Sequence, residues 1–360
     1  PWILGEDFQG DPMAIEETAR TAQLDAIFDF PLYYALTDTL CEGQPMGRLA
    51  STLSLDRVQT SGVERITFLD NHDLPRIASA CGATPGRTRL ALHLLFSLRG
   101  TPSLTYGTEA GLEGAEEPEN RGDMPWDREM PLTEEIRQLW TFRNQGPNRT
   151  RDRVLFLDDE TLFLLREGND HSLLVLLHLG TEPRSLPWPE AFAGTEILAS
   201  ARLVDDEFTV SGPTSESPTS LTVGPGSLHR WIVPNTAPTP ETTHAFAFEI
   251  FTEDERPLCE GSTIYVTGAG PELGNWDVSE ALALEPMNPT AWTGSLEMAE
   301  GQVVAWHLLL NRDGEWIWAD GPDRFGWVGD PEHDQGLVEG RILHLESTML
   351  GIPSGDCPED

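Results

Sequence analysis

The sequence predicts a multidomain chain. Half of a βα (TIM) barrel made of four βα units comes first, then a small antiparallel all-β domain, then a β-sandwich. Three observations carry this. Residues 1–145 alternate short β-branched or aromatic runs with helix-length stretches. From residue 150 onward the helix-length stretches stop and short strand-like runs succeed one another. A Pro/Thr stretch, PNTAPTPETT at 234–243, then sets off a last segment punctuated by Gly, Pro, Asn and Asp.

In the first part the strand-like runs are 2–4, 24–30, 65–69 and 103–106, with helix-length stretches after each, notably 32–55, 88–98 and 133–143. Such alternation argues a parallel sheet with right-handed crossovers. In the second part 153–157, 161–166 and 172–179 read as strands, the latter two joined by the turn residues Gly168, Asn169 and Asp170, and further short strands run to 228–233. The charges of this part read as solvated faces. In the last part, strands at 245–251, 263–268, 281–284, 291–296, 303–310, 316–319 and 341–345 have the spacing of a sandwich. The boundaries that follow are 1–148, 149–234, a linker at 235–243, 244–346 and a disordered tail at 347–360.

Composition narrows the function classes. With 23 basic and 60 acidic residues the chain carries a formal charge of −37, and every basic residue is Arg. A nucleic-acid or other polyanion partner is therefore excluded as a reading. No run approaches the roughly 20 apolar residues of a membrane span, so no membrane partner is expected. Cys41, Cys81, Cys259 and Cys357 lack metal-ligand spacing, which argues against a zinc site, and leave three pairings open, Cys259 with Cys357 among them.

The chemistry concentrates at ERITFLDNHDLPRI, residues 64–77, where an apolar run ends in Asp70, Asn71, His72 and Asp73. Acids at the C-terminal end of a barrel strand face substrate, although Asp70 and Asp73 fit equally as caps of the next helix. Glu6 follows the first strand as Asp73 follows the third, which puts two carboxylates at one rim. Glycoside cleavage uses such groups, one as an acid and others to stabilise or attack an oxocarbenium-like centre. His72 suits a sugar hydroxyl or, as readily, a packed structural role. The polar stretch 107–127, with Asn120 and Arg121, is longer than a turn requires.

These segments resemble a known family. ILGEDF (3–8), FDFPLYYAL (28–36), ITFLDNHDLPRIAS (66–79), GTPSLTYGTEAGLEG (100–114) and PENRGDMPWD (118–127) are similar, in order, to the later conserved regions of the α-amylase family, glycoside hydrolase family 13. The resemblance implies that residues 1–148 are the second half of the catalytic barrel of a retaining enzyme acting on α-1,4-glucans. Glu6 would be its general acid/base, Asp73 its transition-state stabiliser and His72 a substrate ligand, with Arg76, Asn120 and Arg121 also binding substrate where they shape the glucan cleft. The family's nucleophilic Asp belongs to a motif absent from this sequence, so the expectation is a truncated, inactive chain. The alternative is a non-catalytic starch-binding protein with a degenerate barrel. No cofactor is assigned to these residues, and the family's usual calcium ligands lie mostly outside them. A polymeric substrate implies an extracellular location.

Six of the 11 Trp fall in the last part, more than one small core needs. STIYVTGAGPELGNWDVSEALALEP (262–286), AWTGSLEM (291–298) and VVAWHLLLNRDGEWIWADGPDR (303–324) resemble a family 20 starch-binding module. The resemblance implies that Trp276 and Trp318 stack glucose rings, with starch as the partner. His307, which stands where the family usually has Lys, would join them in binding the sugar, and Asp323 stands where the family usually has Asn. Trp292 and Trp306 read as core, whereas Gly274, Asn275 and Asp277 place Trp276 in a turn.

Overall fold

The computed structural model describes residues 1–58, 62–82, 84–147, 151–235, 242–251, 258, 261–319, 321–328 and 342–343. The chain divides into two compact units, Pro1–Thr239 and Pro240–Asp360.

The first unit opens with four parallel strands, β1 (Leu4–Gly5), β2 (Ala26–Phe28), β3 (Glu64–Thr67) and β4 (Thr101–Pro102), paired in sequence order. Between them run α1 (Pro12–Thr21), α2 (Phe30–Leu40), α3 (Gly47–Ser54), α4 (Ile77–Ala80) and α5 (Pro85–Leu95), and α6 (Thr133–Arg143) follows β4. Local signals explain the starts: Asp11 caps α1 by accepting from Met13 N, and Asp29 caps α2 by accepting from Leu32 N, each beside a first-turn proline. Ile15, Ala19 and Ile27 seal α1 on the sheet, and Phe30, Tyr33 and Phe68 form an aromatic layer under the rim. The long helix expected over 32–55 is two helices. Gly43, at φ 75°, and Pro45 break it between α2 and α3. The strand expected at 103–106 lies earlier, as β4 at Thr101–Pro102, and the residues after it climb onto the rim, Ser103 N donating to Thr67 O at 2.7 Å.

A six-stranded antiparallel sheet follows, β5 (Arg151–Leu157), β6 (Thr161–Glu167), β7 (His171–His178), β9 (Ala199–Val204), β10 (Glu207–Ser211) and β12 (Ser227–Pro234), in the order β10-β9-β12-β7-β6-β5. It is joined by the pair β8 (Arg184–Pro187) and β11 (Ser220–Val223). Strand β7 is buried along nearly its whole length. Leu174 and Leu176 on one face join Trp188, Phe192, Leu221 and Val223 in an apolar cluster. The opposite face meets the helices of the first part.

The charges of this sheet are not all solvated, contrary to the sequence reading. Arg166 and Arg230 are buried and point at α5 and the turn after it. Arg166 Nη1 donates to Ser97 O at 2.7 Å and Nε donates to Asp152 Oδ1 at 3.1 Å. Arg230 Nη2 donates to His93 Nδ1 at 2.9 Å, and its guanidinium lies 5.3 Å over the Phe142 ring. With Nδ1 accepting, the His93 proton sits on Nε2 and is donated to Glu135 Oε1 at 2.5 Å. These bonds weld the sheet to α5 and α6.

The second unit is a sandwich. One sheet has the order β16-β17-β13-β21, from β13 (Thr243–Phe251), β16 (Glu285–Asn288), β17 (Ala291–Ala299) and β21 (Ile342–Leu343). The other runs β15-β14-β18-β19, from β14 (Ser262–Gly268), β15 (Leu282–Ala283), β18 (Val303–Arg312) and β19 (Glu315–Trp318), with β20 (Arg324–Trp327) also pairing β18. Phe248, Ile264, Trp292, Trp306 and Leu308 fill the space between. Most of the linker, the tail at 347–360, Cys259 and Cys357 lie outside the described residues. Cys41 and Cys81, at the ends of α2 and α4, form a disulfide that the sequence spacing did not single out. No described helix is long and apolar enough to cross a membrane.

Two stability predictions follow from this architecture. Burial, aided by the Arg230 charge, pushes the His93 imidazole down from 6.5 to about 4. The unfolded chain therefore binds the extra proton first. The His93 contribution to stability is complete above about pH 6.5 and declines by up to about 3 kcal/mol as pH falls toward 4. Urea unfolding at a series of pH values should register this slope. His93→Gln, which keeps an acceptor for Arg230 and a donor for Glu135, should flatten it. Separately, the disulfide closes a loop with a sequence separation of 40. Replacing both cysteines by Ser should lower the unfolding free energy by about 3 kcal/mol.

Candidate active site

The stretch 68–77 divides its two aspartates between different tasks. Phe68, Leu69 and Asp70 continue β3 as buried residues. Asp70 Oδ2 accepts from Ile77 N at 2.8 Å and so caps α4, as the structural alternative expected of it. Asp73 caps nothing. The turn between them is closed by Asn71, whose Oδ1 accepts from Asp73 N at 2.8 Å, and it lifts the Asp73 carboxylate into solvent with 38% of its side chain exposed.

Asp73 is nevertheless held. Its Oδ1 accepts from Arg121 Nη2 at 2.7 Å, and His72 Nε2 lies 3.2 Å from Oδ2. Arg121 Nε also donates to His72 O at 2.9 Å, while Asn120 Nδ2 donates to His72 O and Leu74 O at 3.0 and 3.1 Å. The long polar loop thus returns over the turn and fixes its backbone. It can fold that closely because Gly114 lies against the Asn120 backbone, where a Cβ would stand 2.5 Å from Asn120 N.

Glu6 emerges just after β1, and its Oε1 accepts from Asn71 Nδ2 at 3.3 Å. Asn71 therefore links the two residues, through its amide nitrogen to the Glu6 carboxylate and its amide oxygen to the Asp73 backbone N–H. Sequence reasoning assigned Asn71 no role, and its place two residues before Asp73, the spacing of an Asx turn, was the available signal.

Arg76 and Asn120 need correction as substrate ligands. Arg76 is 0% exposed and Asn120 3%. The Arg76 guanidinium donates to Tyr106 O, lies 5.3 Å over the Tyr106 ring and stands 3.6 Å from Asp70 Oδ2. Both side chains satisfy rim backbone and carboxylate groups from beneath, so they shape the cleft without reaching into it. His72 and Arg121 remain accessible beside Asp73. Tyr106, also missed, is exposed and ties its hydroxyl to Gly122 O at 2.9 Å. Among the described residues no group of three or more His, Cys, Asp or Glu is placed to hold a metal ion.

In the second unit Trp292 and Trp306 are core residues, and Trp318 at the end of β19 is 45% exposed. Trp276 is half-buried in the turn after β14, where Asn275 and Trp276 both take left-handed backbone conformations, at φ 48° and 69°. Two successive non-glycine residues in that region are strained, a state that persists only where the surroundings enforce it. Gly274, at φ 74°, is packed against Glu280, and the Asp277 side chain accepts from Ser279 N at 2.8 Å. His307, predicted to contact sugar, is 9% exposed and engaged within the unit.

Comparison with known proteins agrees with this fold. Residues 2–151 match the family model for the α-amylase catalytic domain, and 249–331 that for a starch-binding domain. The chain is 31% identical over 190 residues to a β/α-amylase of Paenibacillus polymyxa, covering 49% of this chain and 15% of that protein. It is 26% identical over 352 residues to a cyclomaltodextrin glucanotransferase of Klebsiella oxytoca, covering 84% and 50%. The chain thus spans half or less of the length of these relatives. Among solved structures, an Anoxybacillus α-amylase superposes with a TM-score of 0.56 at 22% identity, over 66% of this chain and 53% of that one, which speaks to fold alone. By these matches, residues 2–151 belong to the α-amylase catalytic-domain family and residues 249–331 to the starch-binding-domain family.

Proposed function

We propose that the chain is part of an extracellular enzyme that hydrolyses or transfers α-1,4-glucan chains with retention, and that its last unit binds starch. The observation that carries the catalytic reading is the Asn71 bridge, which ties Glu6 and the Asp73 turn to one rim of the parallel sheet. In this reading Glu6 donates a proton to the leaving oxygen and later takes one from the incoming hydroxyl. Asp73, held in place by Arg121, stabilises positive charge at the anomeric carbon, and His72 hydrogen-bonds a sugar hydroxyl. The curated relatives include a cyclomaltodextrinase and maltogenic amylases, which supports an α-glucan substrate without choosing between hydrolysis and transfer. The Cys41–Cys81 disulfide and the acidic surface suit an oxidising, extracellular setting.

A retaining mechanism also needs a carboxylate nucleophile about 5 Å from the acid. The motif that supplies it in the family is not among the segments matched above, so we expect these 360 residues to bind starch without turning it over. Co-sedimentation with raw starch, assayed together with release of reducing sugar from soluble starch, tests both halves. The expected result is retention on starch that falls about tenfold with Trp276→Ala or Trp318→Ala, roughly the stacking contribution of one aromatic ring, and no sugar release. Failure to sediment would overturn the binding reading. Sugar release abolished by Glu6→Gln would overturn the expectation of inactivity.

A further inference from the structure

Strand β18 runs between the two strands that deliver the half-buried Trp276 and the exposed Trp318 of the second unit. His307 on β18 pairs in register with Thr267 of β14, which leads into the Trp276 turn, and Leu309 pairs with Trp318 of β19. The His307 ring centroid lies 5.7 Å from that of Trp318, tilted by 56°. Its Nε2 is 2.8 Å from Ala319 O and its Nδ1 3.2 Å from Asp323 Oδ1. A carbonyl oxygen and a carboxylate only accept, and a neutral imidazole has one N–H to give. Both contacts are hydrogen bonds at once only when both ring nitrogens carry protons.

The position of these acceptors gives the arrangement a purpose. Ala319 directly follows Trp318, and Asp323 directly precedes β20, so one ring fixes both ends of the connection that begins at the exposed indole. Arg324, which follows Asp323 in the chain, places its guanidinium 5.6 Å over the Trp306 ring. From β14 the neighbour is the uncharged Thr267, whose hydroxyl donates to Leu273 O at 3.1 Å.

We propose that His307 is the positioning residue of the glucan-binding face, holding Trp318 in its stacking pose as an imidazolium shared between Ala319 O and Asp323. Loss of the second proton releases one end of the brace and weakens glucan binding. The inference rests on the reading of this unit as starch-binding.

The test is calorimetric titration of the full chain with maltoheptaose at about pH 5.5 and about pH 8.5, which bracket ordinary histidine titration. Trp318→Ala serves as the blank for binding elsewhere on the chain. The unaltered chain should bind about tenfold more weakly at the higher pH, the scale of one charge-assisted hydrogen bond. His307→Gln, which keeps a donor for Ala319 O but no charge, should bind weakly at both, and Asp323→Asn should flatten the dependence. An unaltered chain whose affinity ignores pH overturns the proposal, as does a His307→Gln variant that keeps the same pH slope. Absence of Trp318-dependent binding at both pH values overturns the starch-binding reading itself, and the positioning role falls with it.

Discussion

The site of the first unit depends on one buried cation. Arg76 has no solvent contact and brings together three pieces of chain that would otherwise separate: the Asp70 carboxylate at the end of β3, the Tyr106 carbonyl after β4, and the start of α4. A guanidinium buried this deeply is stable only if its neighbours supply acceptors and negative charge, so its presence dictates where Asp70 and the loop after β4 must lie. The Arg76 backbone joins in, its N–H donating to Gly114 O at 2.9 Å. From that anchored loop Asn120 and Arg121 reach back to the carbonyl of His72, and Arg121 reaches the carboxylate of Asp73. Preorganisation of this kind is what a site needs if charge is to be stabilised without rearrangement at the moment of reaction.

The same logic, with different chemistry, organises the second unit. There the rigid element is β18, buried along most of its length in the sandwich core. The two indoles are held from it at one remove, Trp276 through a turn that keeps two residues in left-handed conformations and Trp318 through the His307 ring. A flat aromatic ring offers a sugar the same stacking surface whichever residue of the polymer arrives, so what the protein must fix is the ring's orientation.

Much of the fold was legible because burial leaves a period in the sequence. The run Ile66, Thr67, Phe68, Leu69 reads as a buried strand, and β3 ends within it at Thr67, while 133–143 reads as a helix and is one. Where the reading failed, local breakers competed with a continuing apolar pattern, as at Gly43 and Pro45 inside the stretch taken for one helix. The site was legible as far as residue type indicates exposure. Glu6, His72 and Asp73 are at the rim as expected, but Arg76, Asn120, Arg166 and Arg230 are polar residues whose burial depends on partners distant in sequence. Arg230 and His93 are 137 positions apart, and no spacing rule connects them. The Cys41–Cys81 bond was hidden for the same reason.

If Arg76 is the constraint on which the rim depends, its removal should loosen the rim and leave the rest intact. Amide hydrogen exchange of Arg76→Met against the unaltered chain measures this directly. The account predicts exchange at least about tenfold faster at Asp73 and Ile77, whose amides donate to Asn71 and Asp70, with unchanged protection in β7 and β18. Unchanged exchange at Asp73 and Ile77 in a folded Arg76→Met protein would contradict it.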